Sequence, residues 1–158
     1  MTDQLVVTRT VDVDPAALFA VLADPRRHIE FDDSGFVRGV AEGGVLRAVG
    51  DVFVMDMHNE RLGDYRMRNT VVAYEPDRVI GWAPELYPLD GYTAVNGDMK
   101  ATGHSYTWSL APAPGGGTEV TQTYDWSGVH DEKFRARFPR FDADALAASI
   151  ERLGVAVE

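Results

Sequence analysis

The stretch GHSYTWSLAPAPGGGTEVTQTYDW, from Gly103 to Trp126, constrains the fold of this chain more than any other. Large residues alternate with small polar ones on both sides of APAPGGG, so it reads as two strands joined by a Gly-rich turn. Successive side chains on a strand point to opposite faces. His104, Tyr106, Trp108 and Leu110 therefore share one face of the first strand. In the second, Val120, Gln122, Tyr124 and Trp126 alternate with Thr121, Thr123 and Asp125. A dry core would use Leu, Ile and Val. Here one face carries rings with polar tips.

The flanking sequence extends the pattern. Leu5 to Val13 is β-rich and ends at DPAALFAVLAD, where Asp14 suits an N-cap and Pro15 the first helical position. Leu18, Phe19 and Leu22 recur at helical spacing. Asp24 and Pro25 start a second short helix, DPRRHIEF. The stretch GGVLRAVGDVFVMDMHN centres on Gly50-Asp51, a hairpin signal, and DYRMRNTVVAYEPDRVIGW turns at Pro76-Asp77. Residues 83–102 lack periodicity and are rich in Gly and Pro, which predicts a lid or a wide loop with a short strand inside it. At the end, Asp142 is a candidate N-cap, and Leu146, Ile150, Leu153 and Val157 give one apolar face to a helix over about 143–155. Strand, two short helices, about six antiparallel strands and a long helix predict an α+β fold, a curved antiparallel sheet with one face against a helix.

With 158 residues and no linker or repeat, a single domain over 1–158 is expected, long enough to bury a core without staples. The chain has no cysteine, which removes disulfides and thiolate chemistry. The start, MTDQLVVTRTVDV, lacks a basic region followed by an apolar run, and no stretch approaches the ~20 apolar residues of a spanning helix. A cytoplasmic protein without a transmembrane segment is the expectation. The net charge of -10 repels phosphate backbones, so no nucleic-acid partner is expected. The densest basic stretch, KFRARFPRF (Lys133 to Phe141), reads either as a solvated connection or as a surface for an acidic ligand or a membrane.

Catalytic signatures are absent: no nucleophile elbow, zinc-protease helix, P-loop or dinucleotide fingerprint. Gly115-Gly116-Gly117 sits in a hairpin and is not placed to cradle phosphate. His58 and Glu60 could offer two metal ligands, but no third stands at a recognised spacing, so no metal and no cofactor are expected. Proton transfer needs only one or two polar groups in an apolar cavity. His104 shares the parity of Tyr106 and Trp108 and is the catalytic candidate. His58 and Asp56 have the parity opposite to Phe53, Met55 and Met57 and should face water. Glu30, Asp32 and Asp33 read as a solvated rim.

The order of these elements, with the phrases VDVDPAALFAVLADPRRHIEF, VGDVFVMDM, VVAYEPDRVIGW, GGGTEVTQTYDWSG and LAASIERLG, resembles the SRPBCC superfamily (START-like, helix-grip), in its polyketide cyclase/dehydrase and lipid-transport branch. The resemblance implies a seven-stranded curved antiparallel sheet wrapped around the last helix, with an apolar cavity between. It implies no single reaction, because one fold hosts many functions. Rings with polar tips suit such a cavity, since their faces stay apolar while their tips bond to a ligand. The expected wall is Phe53, Met55, Met57, Tyr65, Met67, Asn69, Trp82, Tyr106, Trp108, Tyr124 and Trp126, with Leu146, Ile150 and Leu153 from the helix. The first expectation is binding of a hydrophobic small molecule, lipid- or polyketide-like. The alternatives are a cyclase/dehydratase-type enzyme using a pocket His or Tyr, and a protein-interaction module of the chaperone-ATPase-activator type.

Overall fold

The computed structural model describes residues 3–157. Strand β1 (Gln4–Val11) leads into helix α1 (Pro15–Leu22), a 3-10 turn (Pro25–Arg27) and the single turn α2 (His28–Phe31). Then follow β2 (Val37–Glu42), β3 (Val52–Asn59), β4 (Gly63–Glu75), β5 (Val79–Leu86), the turn α3 (Thr93–Asn96), β6 (Ser105–Pro112), β7 (Thr118–Asp125), α4 (Glu132–Arg135) and the long helix α5 (Ala143–Ala156). The seven strands form one sheet in the order β1-β7-β6-β5-β4-β3-β2, every neighbouring pair antiparallel. β1 returns to β7 and so orders the hairpin side of the sheet.

Local chemistry sets most boundaries. Asp142 accepts from the Ala145 N–H at 2.9 Å and caps α5. Asp24 caps the 3-10 turn through the Arg26 N–H at 3.1 Å. Asp14 has the extended backbone of an N-cap but makes no side-chain bond, so α1 begins on Pro15 alone. The Gly50-Asp51 hairpin does not form. The strand pairing with β3 is 37–42, and residues 43–51 are a loop tied by the Asp51 carboxylate to the Arg47 and Ala48 N–H groups. That loop is anchored by Leu46, which is buried and donates its N–H to the Ala23 carbonyl. Aspartate beside glycine closes a wider turn here than its two-residue signature implies.

Helix α5 packs against β1 and α2. Its Leu146, Ile150 and Leu153 are buried, as the four-three spacing predicts. From the sheet, Val7, Phe53, Val71, Ile80, Trp108 and Val120 meet them in one continuous core. At the far end, Gly103 has φ +110°, and an added Cβ would run into the Gly128 carbonyl. This backbone-on-backbone approach seats His104 at the start of β6. The chain from 132 to 141 is no solvated connection: Phe134 is buried, and Phe138 and Phe141 pack half-buried over the inward rings of β7. Among the described residues, no helix is long and apolar enough to cross a membrane.

Candidate functional site

Between the sheet and α5 the side chains leave a cavity of about 120 Å³. An engineered cavity of roughly 150 Å³ binds benzene, so this space suits one ring. β3 supplies Phe53, Met55 and Met57, β4 supplies Tyr65, Met67 and Asn69, β5 supplies Trp82, and β6 supplies Tyr106 and Trp108. His104 and, from α5, Leu146 complete the sequence-predicted residues on the wall. Antiparallel pairing makes the set: Met55 lies opposite Met67, Phe53 opposite Asn69, and Trp82 opposite Tyr106.

Four expected wall residues lie elsewhere. Tyr124 faces inward, but its ring stacks on Tyr106 at 4.9 Å with the planes 6° apart, so Tyr106 stands between it and the space. Trp126 is covered by Phe138, stacked 6.0 Å away. Ile150 and Leu153 are fully buried in the helix–sheet core rather than on the wall. Strand parity and helical spacing separate inside from outside; they do not separate core from cavity.

Sequence reasoning also missed several wall residues. His28 is buried on the single turn α2, stacked on Trp82, with its Nε2–H donating to the Leu22 carbonyl at 2.7 Å. Four helical residues give no periodicity to read. Gln122 has inward parity and faces the cavity opposite Trp108. Asp32 is half-buried at the wall rather than solvated, and accepts from the Ser34 N–H at 2.6 Å. Ser149 of α5 lines the wall as well and takes the Asp33 N–H on its hydroxyl at 3.1 Å, while Arg152 pairs with Asp33 at 3.1 Å. These contacts pin α5 to the segment after α2. Arg140 and Phe141 reach the wall from KFRARFPRF, whose interleaved aromatics were the available signal. His58 faces outward and pairs with Asp64 at 2.8 Å, and Asp56 pairs with Arg66 at 3.0 Å.

The electrostatics favour neutral side chains. Burial lowers the His28 imidazole to about 4, against the opposing hydrogen bond to Leu22. Burial, reinforced by the Arg140 charge, lowers His104 to about 3. Burial raises Tyr124 to about 12 and lifts Tyr106 well above the usual phenol range. Burial also raises the Asp32 carboxyl, against the Ser34 hydrogen bonds. Three buried polar atoms of wall residues have no hydrogen-bond partner: His104 Nδ1, Trp108 Nε1 and Gln122 Oε1. Most buried polar groups in folded proteins are paired, so orphans on a cavity wall are groups a ligand can satisfy. Among the described residues, no group of three His, Asp or Glu side chains could hold a metal ion.

A seven-stranded antiparallel sheet folded over a C-terminal helix, with two short helices after the first strand, defines the helix-grip class of ligand-binding folds. The family described as polyketide cyclase/dehydrase and lipid transport matches residues 2–157, and the chain belongs to that family, within the SRPBCC superfamily. It is 36% identical over 152 residues to the uncharacterized protein Rv0088 of Mycobacterium tuberculosis, covering 92% of this chain and 59% of that protein. The chain thus spans about three fifths of the length of that relative. Among solved structures, protein CV1439 from Chromobacterium violaceum superposes with a TM-score of 0.68 at 16% identity, covering 100% of this chain and 99% of that one. Protein MLL2253 from Mesorhizobium loti gives 0.64 at 21% identity, over 98% and 96%. These likenesses show the shared fold.

Proposed function

We propose that this protein binds a hydrophobic small molecule, lipid- or polyketide-like, in the cavity between the sheet and α5. One observation carries the reading: a ring-sized space with aromatic and methionine walls also presents the orphaned polar atoms of His104, Trp108 and Gln122. Burying about 200 Å² of a ring contributes roughly 5 kcal/mol at about 25 cal/mol/Å². Association itself costs several kcal/mol. Apolar burial alone therefore supports only weak binding, and hydrogen bonds to the orphaned atoms supply the rest.

The test is saturation-transfer NMR with toluene, alongside native mass spectrometry of whatever co-purifies. Leu146→Trp places an indole into the cavity and should abolish the toluene signal while the far-ultraviolet circular dichroism is unchanged. Undiminished transfer in that variant would place the apolar site elsewhere.

A second reading, turnover of the cyclase or dehydratase type, has one observation in its favour. Asp32 is a cavity carboxyl whose proton affinity is raised by burial, the direction that brings an acid toward working pH. Acid–base work would fall to Asp32 rather than to His104, whose low pKa makes it a weak base.

A further inference from the structure

The cavity is continued by a second, smaller hollow. The two share Tyr65, Met67 and Arg140 as walls, and the second reaches outward between the β3–β4 turn, α3 and the chain before α5. It holds about 20 Å³, room for one water or for the oxygen end of a small head group. Two independent features set it apart.

The first is charge. Arg61, Arg137 and Arg140 all line this hollow. Among the described residues, both lysines and seven of the thirteen arginines lie within 4.0 Å of a carboxylate; Arg9, Arg38 and Arg47 do not, nor do these three, which unlike the others share one hollow. Glu60, adjacent to Arg61 on the turn, pairs with none of them. In a chain of net charge -10, carboxylates to neutralise three arginines are plentiful. The arginines are instead gathered where they repel one another. Arg61 has its pKa lowered by partial desolvation and then by the charges of Arg137 and Arg140. Arg140 also lies over the Phe36 ring, 5.6 Å from its centroid, and both residues line the main cavity.

The second feature is Asn96. It lies at the end of α3, is 5% exposed and lines the same hollow. Neither its Nδ2 nor its Oδ1 has a hydrogen-bond partner. A buried amide with both ends unsatisfied is costly unless a ligand completes it. Nδ2 adds a neutral donor to the donors of the guanidinium forks, and Oδ1 can take a proton from the bound group or from a water beside it.

We infer that the ligand is an amphipathic carboxylate, with a ring-sized apolar body in the main cavity and its anionic head at Arg61, Arg137, Arg140 and Asn96. This rests on the binding function proposed above and names its ligand class. Planar guanidinium forks match a carboxylate two oxygens at a time. The small volume of the hollow favours that flat head over a tetrahedral phosphate. The arrangement also supplies the polar anchor that apolar burial alone lacks.

The test is calorimetric titration of the whole protein with a matched pair, 4-phenylbutanoate and 4-phenylbutanamide, with toluene as the probe of the apolar cavity alone. At low salt the carboxylate should bind about tenfold more tightly than the amide or better, the scale of a charge-assisted hydrogen bond. The preference should shrink as salt rises. In the Arg61→Gln, Arg137→Gln double variant, at exposed positions that line the smaller hollow and not the main cavity, the preference should disappear while toluene binding is unchanged. The isosteric Asn96→Asp variant should likewise weaken the carboxylate selectively. Equal affinities of acid and amide for the unaltered protein, or a preference that survives in the double variant, would overturn the inference. So would tighter binding of the corresponding phosphate ester. If toluene binds and neither phenyl compound does, the head-group assignment fails and the cavity function stands; if toluene also fails, the cavity function falls with it.

Discussion

His28 lies nearly flat on Trp82, ring centroids 4.7 Å apart and planes 22° from parallel, while Phe53 meets the imidazole edge-on at 5.2 Å. Its Nε2–H is used by the Leu22 carbonyl, so α2 is fastened to the end of α1 through a side chain packed into the cavity wall. The wall at this point depends on an uncharged imidazole.

The first prediction follows from that dependence. An unfolded histidine titrates near 6.5, whereas burial holds His28 at about 4. Between these values the unfolded chain binds a proton that the folded chain refuses. Stability is therefore full above about pH 6.5 and falls as the pH drops toward 4. At about 1.4 kcal/mol per unit, the loss is on the order of 3 kcal/mol. His28→Phe keeps the stacking and removes the titration. Urea unfolding at pH 7 and pH 4.5 should show a smaller difference for the variant than for the unaltered protein. Equal differences would mean that His28 is already charged or accessible in the folded state.

His28 also marks the boundary of what the sequence discloses. Element order, the antiparallel sheet and the apolar face of α5 were all legible, because period-2 and period-3.6 patterns report burial directly. The inward sides of β3, β4 and β6 were legible for the same reason. What periodicity does not encode is where packing stops. Tyr124 and Trp126 have the right parity, yet Tyr106 stacks between the first and the space, and Phe138 and Phe141 from an irregular segment pack against them. Those phenylalanines, with Arg140, stand in KFRARFPRF, where basic composition suggested solvent and the interleaved rings pointed the other way. Likewise Leu46 fastens a loop where Gly50-Asp51 suggested a hairpin. In each case the deciding contact is long-range, made by an element too short or too irregular to carry a period.

The second prediction sets stability against binding at Gln122. Its Oε1 is buried without a partner on the cavity wall, opposite Trp108. Gln122→Leu removes the orphaned oxygen with little change in volume. Leaving a buried polar atom unpaired costs about 1–3 kcal/mol, so the ligand-free variant should melt at the same temperature or higher. Its affinity for a ligand that bonds the amide should fall. A variant that is both less stable and unaltered in binding would show that Gln122 is satisfied by water and serves the fold alone.

The third prediction concerns the anchoring of α5, which carries Leu146 and Ser149 to the wall. Asp142 caps this helix through the Ala145 N–H at 2.9 Å. Asp142→Ala should cost about 1 kcal/mol in denaturant unfolding. Asp142→Asn, which retains the accepting oxygen, should recover most of it. Equal losses in the two variants would point to the carboxylate charge rather than to the cap.

The last prediction concerns His104. Strand parity makes it a candidate acid or base, and a positioned group of that kind contributes roughly 10²-fold or more to a rate. The structure places its ring on the cavity wall, among the edges of Tyr106 and Phe134, and burial with the Arg140 charge lowers its pKa to about 3. Such an imidazole is neutral at pH 7 and only weakly basic. Its Nδ1 is buried without a hydrogen-bond partner, so in the binding reading proposed above its role is to hydrogen-bond the ligand rather than to move a proton. Carbon and nitrogen chemical shifts of His104 should report a neutral ring from pH 8 down to pH 5. His104→Gln, which retains a hydrogen-bonding group, should change the affinity for a neutral ligand by no more than about threefold, within the modest net worth of one hydrogen bond. A His104 signal that titrates near pH 6.5, or a loss of turnover in the Gln variant with binding intact, would return this histidine to an acid–base role.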